Sequence, residues 1–336
     1  MDAKRMVAVV DTHTSGAPTR IIVGGGPLLK GDTFAERWMD FKENHDDFRR
    51  FVMWEPHGHD NMFGALLTRP VDPEAHYGIV FMDSDSSISM CGHGTIGVSR
   101  TLLDLGIIKK TEPYTEIILE APAGLVKVKV EVKNGKVGDA ILRNVPCFVQ
   151  KKDVEVTLPS TGQKVKLDIA FGGNYTAMVP ANQFGFNIDP DEIKKMVPLG
   201  IEIRDAVNEQ IKFQHPTNPM LNKIILTEFT LEAPEGKPKR NLVTWAAGQL
   251  ARSACGTGTS ARLACLADKQ QLAPGVWFDH AGVTGSIFNG SYEPGPKVGE
   301  FATVIPYVKG RSYITGFNWL IQQEGDELTE GFFIKR

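Results

Sequence analysis

The chain has 336 residues, and its 37 Lys and Arg against 40 Asp and Glu give a formal net charge of −3. No long basic run is present, so composition argues against a nucleic-acid partner or an anionic membrane surface and favours a small, soluble ligand. The length alone suggests about two domains.

Strand-like segments dominate the chain, and helices are fewer. Behind the N-terminal residues lies only the short strand-like run 7–10, so we expect neither a signal peptide nor a transmembrane helix, and we expect a cytoplasmic protein. The last segment, 307–336, also resembles strands and is expected to return and complete the first half of the molecule. Strands are predicted at 5–11, 20–23, 79–82, 115–120, 124–132 and 139–145, and helices at 33–44 running into 46–52, then at 95–105, 191–197, 202–211 and 257–270.

Two short strings are nearly the same: MCGHGT at 90–95 and ACGTGT at 254–259. Each places a cysteine at a glycine-rich turn that opens an amphipathic stretch. At a helix start, unpaired backbone N–H groups converge and the helix dipole presents its positive end, which favours anions. Such a place can hold a substrate carboxylate and can lower the pKa of a thiol.

The repetition predicts that Cys91 and Cys255 face one ligand from two sides, one as base and the other as acid. That arrangement can invert a carbon that bears a hydrogen. Many strands around two central helices predict an α+β protein of two similar halves, with the ligand in the cleft between them. The first half is expected to comprise 1–133 plus 308–336, and the second 134–307, with the turn Asn134-Gly135-Lys136 near the boundary.

The remaining motifs give weaker signals. His57, His59 and Asp60 have a spacing seen at metal sites, but the other histidines form no complementary cluster, so we expect no metal and interpret this segment as a turn that supports the site wall. Cys147 and Cys265 are expected to be buried, inert thiols. The Gly-Gly pair at 172–173 lacks the spacing of a nucleotide-binding loop, so no nucleotide cofactor is implied.

His93 lies inside the first cysteine turn, where its backbone N–H can point at an anion. Its imidazole could also hydrogen-bond the Cys91 thiolate and hold it charged. The alternative is a solvated loop histidine.

Six strings together resemble the proline racemase family over about residues 8–335. That family includes proline racemases, 4-hydroxyproline 2-epimerases and trans-3-hydroxyproline dehydratases. The resemblance implies two pseudo-symmetric halves, each a curved, mostly antiparallel sheet around a central helix, as in diaminopimelate epimerase. It also implies catalysis without a cofactor, an amino-acid substrate and, by analogy, a homodimer. The strings are DTHTSG at 11–16, GHDNMFG at 58–64, MCGHGTIG at 90–97, QHPT at 214–217, RSACGTGTSA at 252–261 and YITGFN at 313–318.

The resemblance also implies roles for particular residues. One of Cys91 and Cys255 would remove the α-proton as a thiolate while the other delivers a proton from the opposite face. The dehydratases of the family replace the second cysteine, typically by threonine, so Cys255 favours racemisation or epimerisation. The carboxylate would be held by the backbone amides of Gly92, His93, Gly256 and Thr257.

The chain departs from the family pattern on the side that should bind the substrate amine. Ala251 and Ala254 stand where relatives usually have aspartate and proline, and Met220 lies approximately where many have a histidine. Together with His59 and Asp60, Ala251 and Met220 are candidate pocket-wall residues. These changes leave two alternatives open: a binding protein or inactive paralogue that retains the carboxylate cradle, and a hydroxyproline dehydratase.

Overall fold

The computed structural model describes residues 2–234 and 236–334. The chain folds into two compact units, Met1–Leu142 with Gly310–Arg336 (unit 1) and Arg143–Lys309 (unit 2). The strands are β1 (Ala3–Thr14), β2 (Ala17–Gly24), β3 (Phe63–Thr68), β4 (Tyr77–Asp83), β5 (Ser87–Ile88), β6 (Tyr114–Ala121), β7 (Gly124–Lys133), β8 (Lys136–Arg143), β9 (Phe148–Thr157), β10 (Lys164–Phe171), β11 (Tyr175–Pro180), β12 (Ile224–Leu231), β13 (Lys239–Trp245), β14 (Gln249–Leu250), β15 (Phe278–Ala281), β16 (Ile287–Pro294), β17 (Val304–Gly310) and β18 (Ser312–Gln323).

The helices are fewer than the strands, as predicted. Thr33 caps the first of them through a capping box with Glu36, which explains why that helix begins where the sequence indicates. The helices are α1 (Phe34–Asn44), α2 (Asp46–Met53), α3 (Gly92–Asp104), α4 (Ile193–Gln210) and α5 (Gly256–Asp268), with short 3₁₀ turns at Ala181–Phe184 and Pro190–Glu192.

In unit 1 the strands lie in the order β18–β1–β2–β3–β4–β6–β7. The pairs β2–β3 and β4–β6 are parallel and the others antiparallel. The final strand pairs with β1 from Ala3↔Gln323 to Thr14↔Ser312, so the C-terminal segment returns to the first unit. Helix α3 is buried along most of its length and contacts β18, β1 and β2.

In unit 2 the order is β9–β10–β11–β12–β13–β15–β16, with β11–β12 and β13–β15 parallel and the others antiparallel. Helix α5 is buried along most of its length and contacts β9, β10 and β16. Strand for strand, this repeats the order and directions of unit 1. The chain is therefore a sheet-dominated α+β protein with two pseudo-symmetric halves, which confirms the predicted fold class.

The division between the units differs from the predicted boundaries. The Asn134-Gly135 turn links β7 to β8 within unit 1, and the division falls between Leu142 and Arg143, then again between Lys309 and Gly310. A polar turn marks a change of chain direction whether or not the compact unit ends there, so the turn signal alone could not locate the boundary.

One pair of predicted helices is a single helix. Most of the segments 191–197 and 202–211 lies in α4 (Ile193–Gln210), which runs through Pro198. Gly200 lets this helix approach the sheet closely, because a Cβ there would collide with the Thr244 hydroxyl. Thr227 also donates a hydrogen bond to the Gly200 carbonyl at 2.7 Å. Tertiary packing therefore keeps the helix continuous across two residues that locally disfavour it.

Candidate active site

Cys91 is the N-cap of α3. Its backbone is extended, with φ −138° and ψ 109°, and its sulfur accepts a hydrogen bond from the Gly94 amide at 3.4 Å. The first hydrogen bond inside the helix runs from the Thr95 amide to the Cys91 carbonyl at 2.9 Å. The thiol is buried, so it lies at the positive end of the α3 dipole with little water around it.

His93 is buried rather than solvated, because it lies beneath Cys91 and against the edge of the Phe63 ring. Its Nε2 donates to the Pro18 carbonyl at 3.3 Å, since a carbonyl oxygen can only accept. Burial lowers the pKa of His93 to about 4, so the imidazole is neutral and its Nδ1, 3.5 Å from the Cys91 sulfur, carries a lone pair. At this distance the neutral imidazole can accept a hydrogen bond from the Cys91 thiol, and the thiolate-holding role suggested from the sequence stays a prediction.

Cys255 is the N-cap of α5 and repeats the sulfur contact. Its Sγ accepts from the Gly258 amide at 3.4 Å and lies 3.5 Å from the Thr257 hydroxyl. Its backbone differs, however, because φ is 58° and ψ is 109°, a conformation that L side chains rarely adopt. Burial and the nearby Glu228 raise the pKa of Cys255 to about 11, so this residue is a thiol at neutral pH.

Two backbone amides at the start of each of these helices, four in all, are available to bind an anion. Hydrogen bonding within the helices begins at Thr95 and at Thr259, so the amides one and two residues after each cysteine have no carbonyl acceptor in their own helix. Each helix start therefore presents a thiol beside two amides, an arrangement that suits a carboxylate. The amides are those of Gly92, His93, Gly256 and Thr257.

The predicted pocket-wall residues lie in both units. His59 and Asp60 are about half exposed in unit 1, and the Asn61 amide donates to His59 Nδ1 at 3.1 Å. In unit 2, the Ala251 amide donates to the Val243 carbonyl at 2.9 Å, and Met220 is partly exposed in a turn. Their role at the site stays a prediction.

The other two cysteines are core residues. Cys265 packs with Ala170, Met178 and Ala261, and burial raises its pKa to about 12. Burial also raises the pKa of Cys147 well above its usual value. All four cysteines fall in the described part of the chain, and none of them is in a disulfide.

Sequence reasoning missed a buried polar cluster behind Cys255. Glu228 of β12 and His280 of β15 are both fully buried, with 3.7 Å between Glu228 Oε1 and His280 Nε2. His280 Nδ1 lies 2.9 Å from the Thr259 hydroxyl of α5. A signal was present, because Glu228 is the single charged residue in the strand IILTEFTL, and a carboxyl within an apolar strand is seldom there for solubility.

The fold and the paired helix-start thiols are typical of an isomerase that acts at a carbon bearing a hydrogen. The model of the proline racemase family matches residues 9–333. Proline racemase of Clostridioides difficile is 42% identical over 100% of both chains, and 4-hydroxyproline 2-epimerase of Streptosporangium roseum is 36% identical over 99% of this chain and 100% of that protein. The chain belongs to the proline racemase family and is an isomerase.

A solved structure gives the same result for the fold. A hydroxyproline epimerase from Agrobacterium vitis, with bound trans-4-OH-L-proline, superposes with a TM-score of 0.94 over 99% of this chain and 97% of that one, at 30% identity. Among the described residues, no helix is long and apolar enough to cross a membrane. The same residues contain no cluster of three or more His, Cys, Asp and Glu side chains placed to hold a metal ion.

Proposed function

We propose that this protein inverts the α-carbon of proline, hydroxyproline or a related amino acid by acid/base catalysis between two thiols, without a cofactor. The observation that carries the proposal is that Cys91 and Cys255 stand at equivalent helix starts, each with its sulfur bonded to the amide three residues on. The relatives named above are a proline racemase and a 4-hydroxyproline 2-epimerase, which supports this choice of substrate class.

The mechanism removes one proton from one face of the α-carbon and adds one proton at the opposite face. A thiolate on one cysteine takes the α-hydrogen as a proton, and the C–H electron pair passes into the carboxylate as an enediolate. The thiol of the other cysteine then gives its proton to the opposite face of the α-carbon. The product has inverted configuration, and the two cysteines have exchanged protonation states, so the reverse reaction uses the same groups.

The four helix-start amides stabilise the intermediate. Negative charge grows on the carboxylate as the proton leaves, and fixed N–H donors aimed at that charge cost little reorganisation. Each such donor is worth roughly 3 kcal/mol in well-studied oxyanion sites. In this chain the donors would be the amides of Gly92 and His93 in one unit and of Gly256 and Thr257 in the other.

Substrate specificity depends on the amine side of the site. Ala251 offers only a methyl group where relatives usually place an aspartate, so it cannot accept a hydrogen bond from an ammonium group. Losing such a charge-assisted bond costs about 1.5–3 kcal/mol, or about tenfold to a hundredfold in affinity. We therefore propose that carboxylate contacts carry more of the binding than amine contacts, and that proline analogues with altered amines are accepted.

The proposal is tested by solvent exchange. The protein is incubated in D₂O with each enantiomer of proline, with trans-4-hydroxy-L-proline and with a panel of other amino acids, and α-deuterium is followed by NMR. Exchange together with inverted configuration supports the proposal. Binding without exchange across the whole panel would instead indicate a carboxylate-binding paralogue, and loss of water from hydroxyproline would indicate a dehydratase.

Cys91→Ser and Cys255→Ser should each lower kcat by a factor of about 10²–10⁴, because a serine hydroxyl is too weak an acid to exchange protons at neutral pH. The matched control is Cys147→Ser, which removes a thiol that takes no part in the proposed chemistry. It is expected to lower the melting temperature while kcat stays within about threefold of the wild-type value. Equal losses in all three variants would contradict the two-thiol mechanism.

A further inference from the structure

Among the described residues, a phenylalanine ring borders the helix start at Cys91 where a carboxyl borders the one at Cys255. A Cβ at Gly258 would collide with Oε2 of Glu228 and would lie 3.3 Å from the sulfur of Cys255, so this carboxyl and this thiol border the same small space. The equivalent glycine in unit 1 is Gly94, where a Cβ would instead lie 3.1 Å from the ring of Phe81. A helix start of this type therefore does not in itself need a carboxyl.

The hydrogen bonds of the cluster fix which atoms carry protons. The Thr259 hydroxyl donates to the Ala254 carbonyl at 3.0 Å, so it accepts from Nδ1–H of His280. Nε2 of His280 is then a bare lone pair that faces Oε1 of Glu228 across 3.7 Å. A protonated carboxyl can donate towards that lone pair, whereas a carboxylate would be repelled by it.

The charges around Glu228 agree with a protonated carboxyl. Both of its oxygens are buried and have no partner in good hydrogen-bond geometry among the described residues, although the Asn241 side chain lies close enough to oppose the rise in its pKa. Arg262 of α5 is a cation that lowers the pKa of Glu228, but its guanidinium pairs with Glu232. Burial raises the pKa of Glu228 to about 8, although Asn241 and Arg262 act to lower it. Burial also lowers the pKa of His280 to about 3. Other titratable groups on this face include Cys255 and Cys265 of α5 and Lys239 of β13, whose ammonium group pairs with Glu232.

The same cluster holds the strained backbone of Cys255. The Ala254 carbonyl, immediately before Cys255, accepts from the Thr259 hydroxyl and from the Asn241 side-chain amide at 2.7 Å. The Cys255 amide also donates to the Ser253 hydroxyl at 3.3 Å. A positive φ at a non-glycine residue costs about 1–3 kcal/mol, so it persists only where its surroundings fix it.

We propose that Glu228 is a positioning residue for Cys255: when protonated it completes the Glu228–His280–Thr259 chain that fixes this helix start, and when ionised its charge opposes formation of the Cys255 thiolate. The proton on Glu228 then determines whether Cys255 can act as the base in the reaction proposed above. The catalytic role of Glu228 rests on that proposed function, but the electrostatic coupling between Glu228 and the Cys255 thiol can be measured without turnover.

The test uses Glu228→Gln, which keeps the shape of the side chain and removes its ionisation. In a Cys91→Ser background, the rate of Cys255 alkylation by iodoacetamide is measured from pH 7 to pH 10 by peptide mass spectrometry. The rates with and without the Glu228→Gln substitution should agree near pH 7, where Glu228 is neutral. Above pH 8 the Glu228→Gln protein should react faster, on the order of tenfold by pH 10, because no carboxylate then opposes the thiolate.

The matched control carries Glu228→Gln in a Cys255→Ser background, where alkylation of Cys91 should be unchanged at every pH. The deciding quantity is the alkylation rate of Cys255 with Glu228→Gln divided by the rate without it. A ratio that stays constant between pH 7 and pH 10 would overturn the proposal, because a merely structural change alters the rate by the same factor at every pH. A second measurement needs no variant. The infrared carboxylic-acid band of ¹³C-glutamate-labelled wild-type protein should disappear with a midpoint near pH 8, and the absence of any such titration also overturns the proposal.

These outcomes are separable from those of the proposed function. Solvent exchange at the α-carbon together with an altered Cys255 titration supports both the two-thiol mechanism and the role of Glu228. Solvent exchange with an unaltered titration supports the two-thiol mechanism and contradicts the role of Glu228. An altered Cys255 titration without solvent exchange supports the coupling between Glu228 and Cys255 and contradicts the proposed function.

Discussion

At the scale of single residues, the two cysteines are alike in sequence and different in environment. Cys91 has an unstrained backbone and a neutral imidazole beside its sulfur, whereas Cys255 has a positive φ and a buried carboxyl nearby. An enzyme that works on both faces of one carbon needs two thiols that alternate as acid and base. We infer that the two sides reach this balance by different means, an imidazole on one and a carboxyl on the other.

Gly258→Ala tests how tightly the carboxyl packs beneath Cys255. The added methyl group collides with Glu228 Oε2, so the free energy of unfolding should fall by about 1–3 kcal/mol in urea titrations. Adding Glu228→Ala vacates the space, and the double variant should lose clearly less than the sum of the two single variants. Additive losses would mean that the methyl group and the carboxyl do not meet.

At the scale of elements, local signals located the helix starts well and the helix interiors less well. Thr33 with Glu36, and each cysteine with its following glycines, set the starts of α1, α3 and α5. The interior of α4 could not be predicted, because Pro198 and Gly200 both indicate a break. Packing of that helix against Thr244 and Phe229 overrides the local preference.

Pro198→Ala is expected to stabilise the protein. Pro198 is exposed, it lies inside α4, and an alanine amide there could donate to the carbonyl four residues earlier. The gain should be about 1–3 kcal/mol in the free energy of unfolding. Pro190→Ala is the contrast, because proline suits a first helical position, and that variant should be neutral or slightly less stable. Destabilisation by Pro198→Ala would show that the proline is needed for packing.

At the scale of the whole molecule, both units repeat one strand order around one buried helix, and the repeat places a cysteine at the same structural position in each. Buried groups with shifted pKa values belong to both cores, among them His93 in unit 1 and Glu228 and His280 in unit 2. The pH dependence of the free energy of unfolding should therefore be determined by these buried groups rather than by the formal net charge of −3.

The sign of each contribution follows from its shift. His93 and His280 have lowered pKa values, so the unfolded chain binds their protons more tightly and stability should fall as pH drops from about 6.5 towards 4. Glu228 has a raised pKa, so its contribution is complete below about pH 4.5 and is lost as pH rises towards 8. Urea unfolding from pH 4 to pH 9 should show both limbs, and Glu228→Gln should flatten the neutral-to-alkaline limb alone. An unchanged alkaline limb would contradict the raised pKa of Glu228.

Local features of the chain follow from short stretches of its sequence. The α+β class, the six strands predicted above and the two cysteine turns are encoded by patterns of a few neighbouring residues, and the family follows from strings such as MCGHGTIG and RSACGTGTSA. These features were predictable because periodicity and helix capping act over one or two turns of chain.

The residues that surround the Cys255 thiol are brought together only by tertiary packing. Glu228, His280, Thr259 and Asn241 come from four different elements and meet only when β12, β13, β15 and α5 pack together. The continuity of α4 and the division at Leu142 likewise depend on contacts between distant segments. Burial and long-range charge determine the pKa of a thiol, and neither can be obtained from the residues next to it in sequence.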